Sequence, residues 1–257
     1  MGEVKVSFVV PAYNEEDSIG ATLGTLDEIV TREMETYEIV LVDDGSKDKT
    51  LSKAIEYGLQ KGHVTLVRYV KNMGKGYATR TGFAKARGEI VVFTDGDQEI
   101  DMHTISRYID ALHYGDIVIA SKWHPDSQVK TPFVRKIMSC GFNVLVRLLT
   151  GVPFKDTQAG LKAMKKSVLE EIFPRLAVKR YAFDVELLAV SRLYGLKVVE
   201  MPVTLKLNAS FKIREIGKMF IDLLGIAYRL RLIHWYQRNI NKKNGLQHFV
   251  SLVTRDT

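Results

Sequence analysis

Short runs rich in Val and Ile recur through the first half of the chain: residues 4–10 (VKVSFVV), 37–43 (YEIVLVD), 64–70 (VTLVRYV), 89–95 (EIVVFTD) and 116–121 (DIVIAS). β-branched residues at this density predict five strands. The intervening stretches 14–31, 47–61, 74–87 and 102–113 predict helices, with Asn14 and Ser46 as N-caps of the first two and Gly62 and Gly88 as left-handed residues just past helix ends. Strands alternating with helices predict an α/β fold with a mostly parallel sheet flanked by helices, connected by right-handed crossovers.

The pattern changes after residue 130. Residues 133–149 (FVRKIMSCGFNVLVRLL) predict a largely apolar helix on which Arg135, Ser139, Asn143 and Arg147 recur every four positions as one polar stripe. Residues 215–236 predict a second amphipathic helix, with Ile216, Met219, Phe220, Leu223, Leu224, Ala227 and Leu230 on one face and Arg229, Arg231, Trp235 and Tyr236 closing it. A helix this apolar is buried or lies in a membrane interface. The domain reading is a main α/β unit over 1–212 and a basic amphipathic tail over 213–257. The apolar uncharged run between Lys136 and Arg147 falls far below the roughly 20 apolar residues of a membrane span. The N-terminus lacks a basic leader region, so neither a signal peptide nor a transmembrane helix is expected.

Charge sharpens this division. The formal net charge is +7. From Thr204 onward, ten Lys and Arg face three Asp and Glu, so the remainder of the chain is balanced at 27 against 27. An anionic partner for the tail follows, such as an acidic membrane surface. Nucleic acid is disfavoured, because no recognition motif or aromatic stacking platform accompanies the basic residues. The single cysteine, Cys140, fits a reducing compartment and a packing role.

Open parallel sheets collect ligands at the carboxyl ends of their strands. Three such ends here are polar: PAYNEE after the first strand, DDGS after the second and DGDQE after the fourth. The third strand leads into NMGKGY, where a helix start beside Lys75 suits a phosphate. Asp95 and Asp97, read as lying on one side of an extended segment, form an all-oxygen pair suited to Mg²⁺ or Mn²⁺, which would bridge a diphosphate. Zinc does not fit, since the six His are scattered. Asp156 and Asp184 are the candidate general bases. Asp156 with Thr157 and Gln158 equally suits sugar hydroxyls, and Asp184 with Glu186 equally suits internal pairs with Arg180 or Lys179.

The segments VVPAYNEEDSI, IVLVDDGSKDKT, NMGKGYATRTGFAKARGEIVVFTDGD, DTQAGLKAM and RYAFDVELLAVSRLYGLKVVEMPV, in this order, resemble a family 2 glycosyltransferase of the GT-A fold over about residues 4–218. They are most similar to dolichyl-phosphate glucosyltransferases and dolichol-phosphate mannose synthases, and DTQAG and FDVELL lean to the former. The resemblance implies that Pro11, Ala12, Tyr13 and Glu15 line a nucleoside pocket, with Asp43 or Asp44 reaching base or ribose. It implies that Asp95 and Asp97 hold a divalent metal and the donor diphosphate. Lys122, Arg135 and Ser139 would bind the acceptor phosphate, and Ser210 and Lys212 would close over the donor phosphates. Some mannose synthases place a Gln two residues past the second Asp as a further metal ligand; Glu99 stands there in this sequence, after Gln98.

The activity implied is inverting, metal-dependent transfer of a hexose from a nucleotide sugar to a polyprenyl phosphate, at the cytoplasmic face of a membrane and with peripheral attachment. UDP-glucose or UDP-N-acetylglucosamine is favoured, and GDP-mannose is the alternative donor. A phosphate acceptor is already ionised at neutral pH and needs positioning rather than a base. The competing readings are a soluble transferase acting on a saccharide, which would need Asp156 or Asp184 as base, and a membrane-associated protein that binds nucleotide sugars without turning them over.

Overall fold

The computed structural model describes residues 4–34, 36–60, 62–207 and 213–238. Its main sheet comprises β1 (Val6–Ala12), β2 (Tyr37–Asp43), β3 (Val64–Arg68), β4 (Ile90–Thr94), β5 (Ile117–Ser121), β7 (Leu161–Lys165) and β8 (Val198–Pro202) in the order β3-β2-β1-β4-β7-β5-β8. The short strands β6 (Gln128–Lys130) and β9 (Thr204–Lys206) form a separate parallel pair. The helices are α1 (Ile19–Glu33), α2 (Thr50–Gln60), α3 (Lys75–Lys85), α4 (Ile105–Asp110), α5 (Phe133–Thr150), α6 (Lys166–Ile172), α7 (Phe183–Leu193), α8 (Ile213–Ala227) and α9 (Trp235–Arg238).

The five strands read from the sequence all form, and they run parallel where they pair with one another. In β1, β2, β4 and β5 the near-continuous apolar runs follow from burial on both faces, whereas β3, at the sheet edge, is only partly buried. Phe8, Ile39 and Val92 share one face with α1 residues Leu23 and Leu26. Val9, Val40 and Phe93 share the other with Ala78 of α3 and Phe183 of α7. The approach of α3 to β1 is close: a Cβ on Gly82 would stand 2.2 Å from Val9 Cγ1. The added strand β7 runs antiparallel between β4 and β5.

Several local expectations are corrected. Asn14 and Ser46 cap neither helix. Asn14 takes a left-handed φ of 55°, its side chain accepts from Lys47 N, and Ser46 Oγ accepts from Asn14 N, so these residues stitch the β1–α1 loop to the β2–α2 loop. Gly62 and Gly88 are not left-handed. Gly88 is required for space instead, since a Cβ would meet Ser7 N at 2.7 Å. The helix expected over 102–113 is interrupted, with 3₁₀ turns at Met102–Thr104 and Ala111–His113 on either side of α4. The helix expected over 215–236 passes into a π-helical turn, Tyr228–Leu232, and breaks at His234, where φ is 48°.

Helix α5 is polar inward and apolar outward. Asn143 is buried, Arg135 and Ser139 are half-buried, and Phe133 and Leu148 are 75% and 65% exposed. A four-residue step advances about 400° around a helix, so the stripe drifts by about 40° each time. Three steps carry Arg147 out to solvent. Cys140 is exposed as well, contrary to a packing role.

The expected single apolar face of α8 is split. Leu223 and Ile226, with Leu230 of the following turn, enter the sheet core and Met219 is buried, while Phe220, Ile221 and Leu224 are exposed. Tyr236 is not at a headgroup level: it is 0% exposed and its hydroxyl donates to Glu186 Oε1 at 2.6 Å. Arg229 reaches the same oxygen at 3.3 Å.

Candidate active site

The carboxyl ends of β1, β2 and β4 meet as the strand order requires. Asp95 follows β4, and its N–H donates to Gly160 O at 3.1 Å. Gly160 leaves room for the Asp95 carboxylate, because a Cβ there would lie 1.9 Å from Asp95 Oδ2. The chain then turns rather than staying extended: Gln98 has a φ of 56° and Asp97 Oδ1 accepts from Glu99 N at 3.0 Å. Burial pushes the Asp97 carboxyl above the usual aspartate range, against the Glu99 N–H, with the Glu99 charge adding to the rise. Burial likewise raises Glu15, with the Asp97 and Asp95 charges adding to the rise.

Lys75, at the first position of α3, points at the acids. Its Nζ lies 2.8 Å from Asp95 Oδ1 and 3.8 Å from Asp184 Oδ2. Burial disfavours its charge, but Asp95 and Asp184 outweigh that and leave its pKa above the ordinary lysine value. Asp184 in the first turn of α7 also pairs with Lys162 of β7 at 2.8 Å. Asp95, Lys75, Asp184 and Lys162 thus form one alternating chain of charge, with both ammonium groups over the Phe93 ring at 5.2 and 5.8 Å. The internal partners of Asp184 and Glu186 are therefore Lys162, Lys75 and Arg229 rather than Arg180 or Lys179; Arg180 pairs with Asp222.

Asp43 and Asp44 divide their roles. Asp44 accepts from Met73 N, Gly74 N and Asn72 Nδ2 at 2.7–3.0 Å, so it shapes the loop that leads into Lys75. Burial pushes its pKa up to about 6 despite those donors. Asp43 Oδ1 accepts from Ser46 N, while its buried Oδ2 has no hydrogen-bond partner, only the Arg68 guanidinium at 3.6 Å. Pro11 and Ala12 are buried at the end of β1, and Tyr13 is exposed.

On the β5 side, Lys122 Nζ lies 2.8 Å from Asp156 Oδ2, and Asp156 further accepts from Lys122 N and Gln158 N. Arg135, at the start of α5, forms two parallel bonds to Glu99 at 3.2 and 3.3 Å. Ser139 follows one turn later. Ser210 and Lys212 lie outside the described residues. The sequence reading overlooked Lys162 and Gly160; a lone lysine inside the apolar run AGLKAM was the available signal.

Burial works against the Asp156 charge, but the Lys122 ammonium and the N–H donors hold its pKa below the ordinary value of 3.8. A carboxyl with a depressed folded-state pKa adds stability that is fully present above its unfolded value and is lost as pH falls through the folded one. Urea unfolding of Asp156→Asn beside the unchanged chain should therefore show a stability gap that is constant from pH 7 to about 4. The gap should narrow only in more acid solution.

The chain belongs to glycosyl transferase family 2, whose profile matches residues 7–173, and it is a glycosyltransferase. It is 36% identical over 253 residues to a dolichyl-phosphate beta-glucosyltransferase of Trichomonas vaginalis, across 92% of this chain and 77% of that one. The human dolichyl-phosphate beta-glucosyltransferase is 31% identical over 262 residues, across 93% and 80%. Among solved structures, glucosyl-3-phosphoglycerate synthase of Mycobacterium tuberculosis, with Mn²⁺, uridine diphosphate and product bound, superposes with a TM-score of 0.65 at 18% identity, across 88% of this chain and 79% of that one. Mannosyl-3-phosphoglycerate synthase of Rubrobacter xylanophilus gives 0.68 at 19% identity, across 88% and 74%. These likenesses establish the GT-A fold.

Proposed function

We propose that this glycosyltransferase moves a hexose from a nucleotide sugar to a polyprenyl (dolichyl) phosphate, with inversion and with UDP-glucose as the favoured donor. The names of its relatives support the reading. The observation that carries it is the state of the two candidate bases. Asp156 is ion-paired to Lys122, accepts two backbone N–H bonds and has a lowered pKa, while Asp184 lies between Lys162 and Lys75. Neither is placed to take a proton from an alcohol. Cations, in contrast, surround the site: Lys75, Lys122 and Arg135. An already ionised phosphate needs just such groups.

Asp95 and Asp97 supply two carboxylates, the share of a Mg²⁺ or Mn²⁺ shell that a protein contributes when donor phosphates complete it. Among the described residues, no group of three or more His, Cys, Asp or Glu is arranged to hold a metal. A bound divalent ion would neutralise charge on the departing diphosphate. In this reading Pro11, Ala12, Tyr13, Glu15 and Asp43 receive the nucleoside, and Asp44 holds the loop that presents Lys75 to the phosphates. Gln158, placed by the Asp156 turn, faces the sugar. Lys122, Arg135 and Ser139 receive the acceptor phosphate.

The outward faces of α5 and α8 suit an anionic membrane surface at which the lipid is met. Phe133, Val134, Leu148, Ile221 and Leu232 are exposed there, with Lys136, Arg147 and Arg231 among them. Arg231 Nη2 ties the two helices by donating to Leu148 O at 2.8 Å. No helix among the described residues is long and apolar enough to cross a membrane. Binding through this face would be peripheral.

A panel of labelled UDP-glucose, UDP-N-acetylglucosamine and GDP-mannose, each with a short polyprenyl phosphate and Mg²⁺ or Mn²⁺, tests the reaction. Labelled lipid from one donor is expected; product on neutral acceptors alone overturns the reading. For the surface, Leu148→Glu with Ile221→Glu should weaken cosedimentation with anionic vesicles at least about tenfold, since each exposed side chain contributes roughly 1.5 kcal/mol or more on burial. Unchanged sedimentation would remove this face from the account.

A further inference from the structure

Of the acids that follow β4, Asp95, Asp97 and Glu99 are not equally matched by cations. Asp95 is held by Lys75 and Glu99 by Arg135, whereas Asp97 forms no ion pair among the described residues. The turn closed by Glu99 N on Asp97 Oδ1 ties the Asp97 side chain to the Glu99 backbone, two positions along the same loop. Glu99 and Arg135 are both largely buried, with side chains 15% and 20% exposed, and the two parallel bonds fix the guanidinium plane. Arg135 therefore cannot present the same fork to a phosphate while Glu99 keeps it. A divalent cation at Asp95 and Asp97 would attract Glu99 and repel Arg135, so it opposes this pair from both sides.

We propose that Glu99 is a positioning residue that holds Arg135 away from the acceptor phosphate until a divalent cation is bound, and that the cation releases Arg135 by competing for Glu99. This inference rests on the function proposed above, because it takes Arg135 to be a phosphate-binding group. The consequence is an order of events: the metal-bearing donor arms the acceptor subsite. Without donor, the guanidinium is neutralised within the chain and the subsite has less attraction for stray phosphate.

Linkage makes the idea measurable without turnover. If the cation weakens the Glu99–Arg135 pair, then removing Arg135 strengthens cation binding by the same factor. The affinity for Mn²⁺ alone, with neither nucleotide nor lipid, is read by electron paramagnetic resonance in the full chain, in Arg135→Met, in Glu99→Gln and in the double variant. Arg135→Met should bind Mn²⁺ about tenfold more tightly than the unchanged chain, within the usual range of such couplings. In the Glu99→Gln background the same change should have almost no effect, because nothing is left to compete for. Simple repulsion between Arg135 and the ion would instead give equal tightening in both backgrounds, and that result overturns the proposal. So does the absence of tightening in Arg135→Met, or of Mn²⁺ binding by the unchanged chain. Arg135→Lys, which keeps the charge but loses the fork, should fall between the two, and thermal melts of each variant establish that it is folded. The donor panel reports on the reaction separately: labelled lipid without the coupling removes only this inference, and the coupling without labelled lipid removes only the proposed acceptor.

Discussion

Asp97→Asn is expected to lower kcat/KM by roughly 10³-fold or more, about 4 kcal/mol of transition-state stabilisation, while leaving the thermal midpoint almost unchanged. The substitution keeps the size of the side chain and removes its charge. In the fold, Asp97 accepts the Glu99 N–H, a bond that an asparagine oxygen also makes. In the proposed reaction, its negative charge would hold the divalent ion that in turn neutralises the donor diphosphate. Burial already holds the Asp97 charge at a disadvantage, with no ion pair among the described residues to offset it, so a cation delivered with the donor relieves a standing cost. Steady-state rates and a thermal melt on the same preparation are sufficient. A variant within a few-fold of the unchanged enzyme would remove Asp97 from the chemistry. Asp95→Asn makes a useful contrast, because it also strips Lys75 of its closest partner and should lose stability along with activity.

The second large effect concerns stability. Lys162→Met should destabilise the fold by about 3–5 kcal/mol, the usual result of removing one member of a buried ion pair. Lys162 is 1% exposed and sits on a central strand, with its ammonium 2.8 Å from Asp184 Oδ1 and 2.7 Å from Ala159 O. Without it, Asp184 keeps, among the described residues, only the more distant cation Lys75, at 3.8 Å. Adding Asp184→Leu removes the stranded carboxylate and should restore most of the loss, since buried pairs replaced by apolar residues are often neutral. Urea unfolding of both variants checks the sign and size. If the single change costs under about 1 kcal/mol, the chain of charge through Asp95, Lys75, Asp184 and Lys162 is not holding the β7 side of the site.

Arg135 and Asp97 show how unevenly the site was written in the sequence. Asp97 could be found because it follows a buried strand at the edge where such sheets bind ligands, and the chemistry proposed for it needs two residues close in sequence. The inward turn of Arg135 could be anticipated from the polar row on α5, but not the fact that Glu99 holds it, since the pair joins segments 36 residues apart. Lys162 was harder still. Its strand is five residues long and runs antiparallel between two strands of opposite direction, and a run of that length has no periodicity strong enough to announce it. The C-terminal aromatics were misread for a related reason. Tyr236 has the amphipathic character of a headgroup residue, but the Glu186 carboxylate and the Arg229 guanidinium hold its hydroxyl inside.

The sequence by itself determined the local matters: where the five first strands lie, that their carboxyl ends carry acids, and that α5 has a polar row on an apolar helix. Each depends on residues a few positions apart, whose spacing is set by the geometry of one strand or one turn of helix. The tertiary structure decided which charge meets which. It put Lys75 on Asp95, Lys122 on Asp156, Arg135 on Glu99 and Tyr236 on Glu186, and it inserted β7 into the sheet. Hydrogen bonds and close ion pairs require contact at roughly 3 Å, so their partners exist only once distant segments have been packed together.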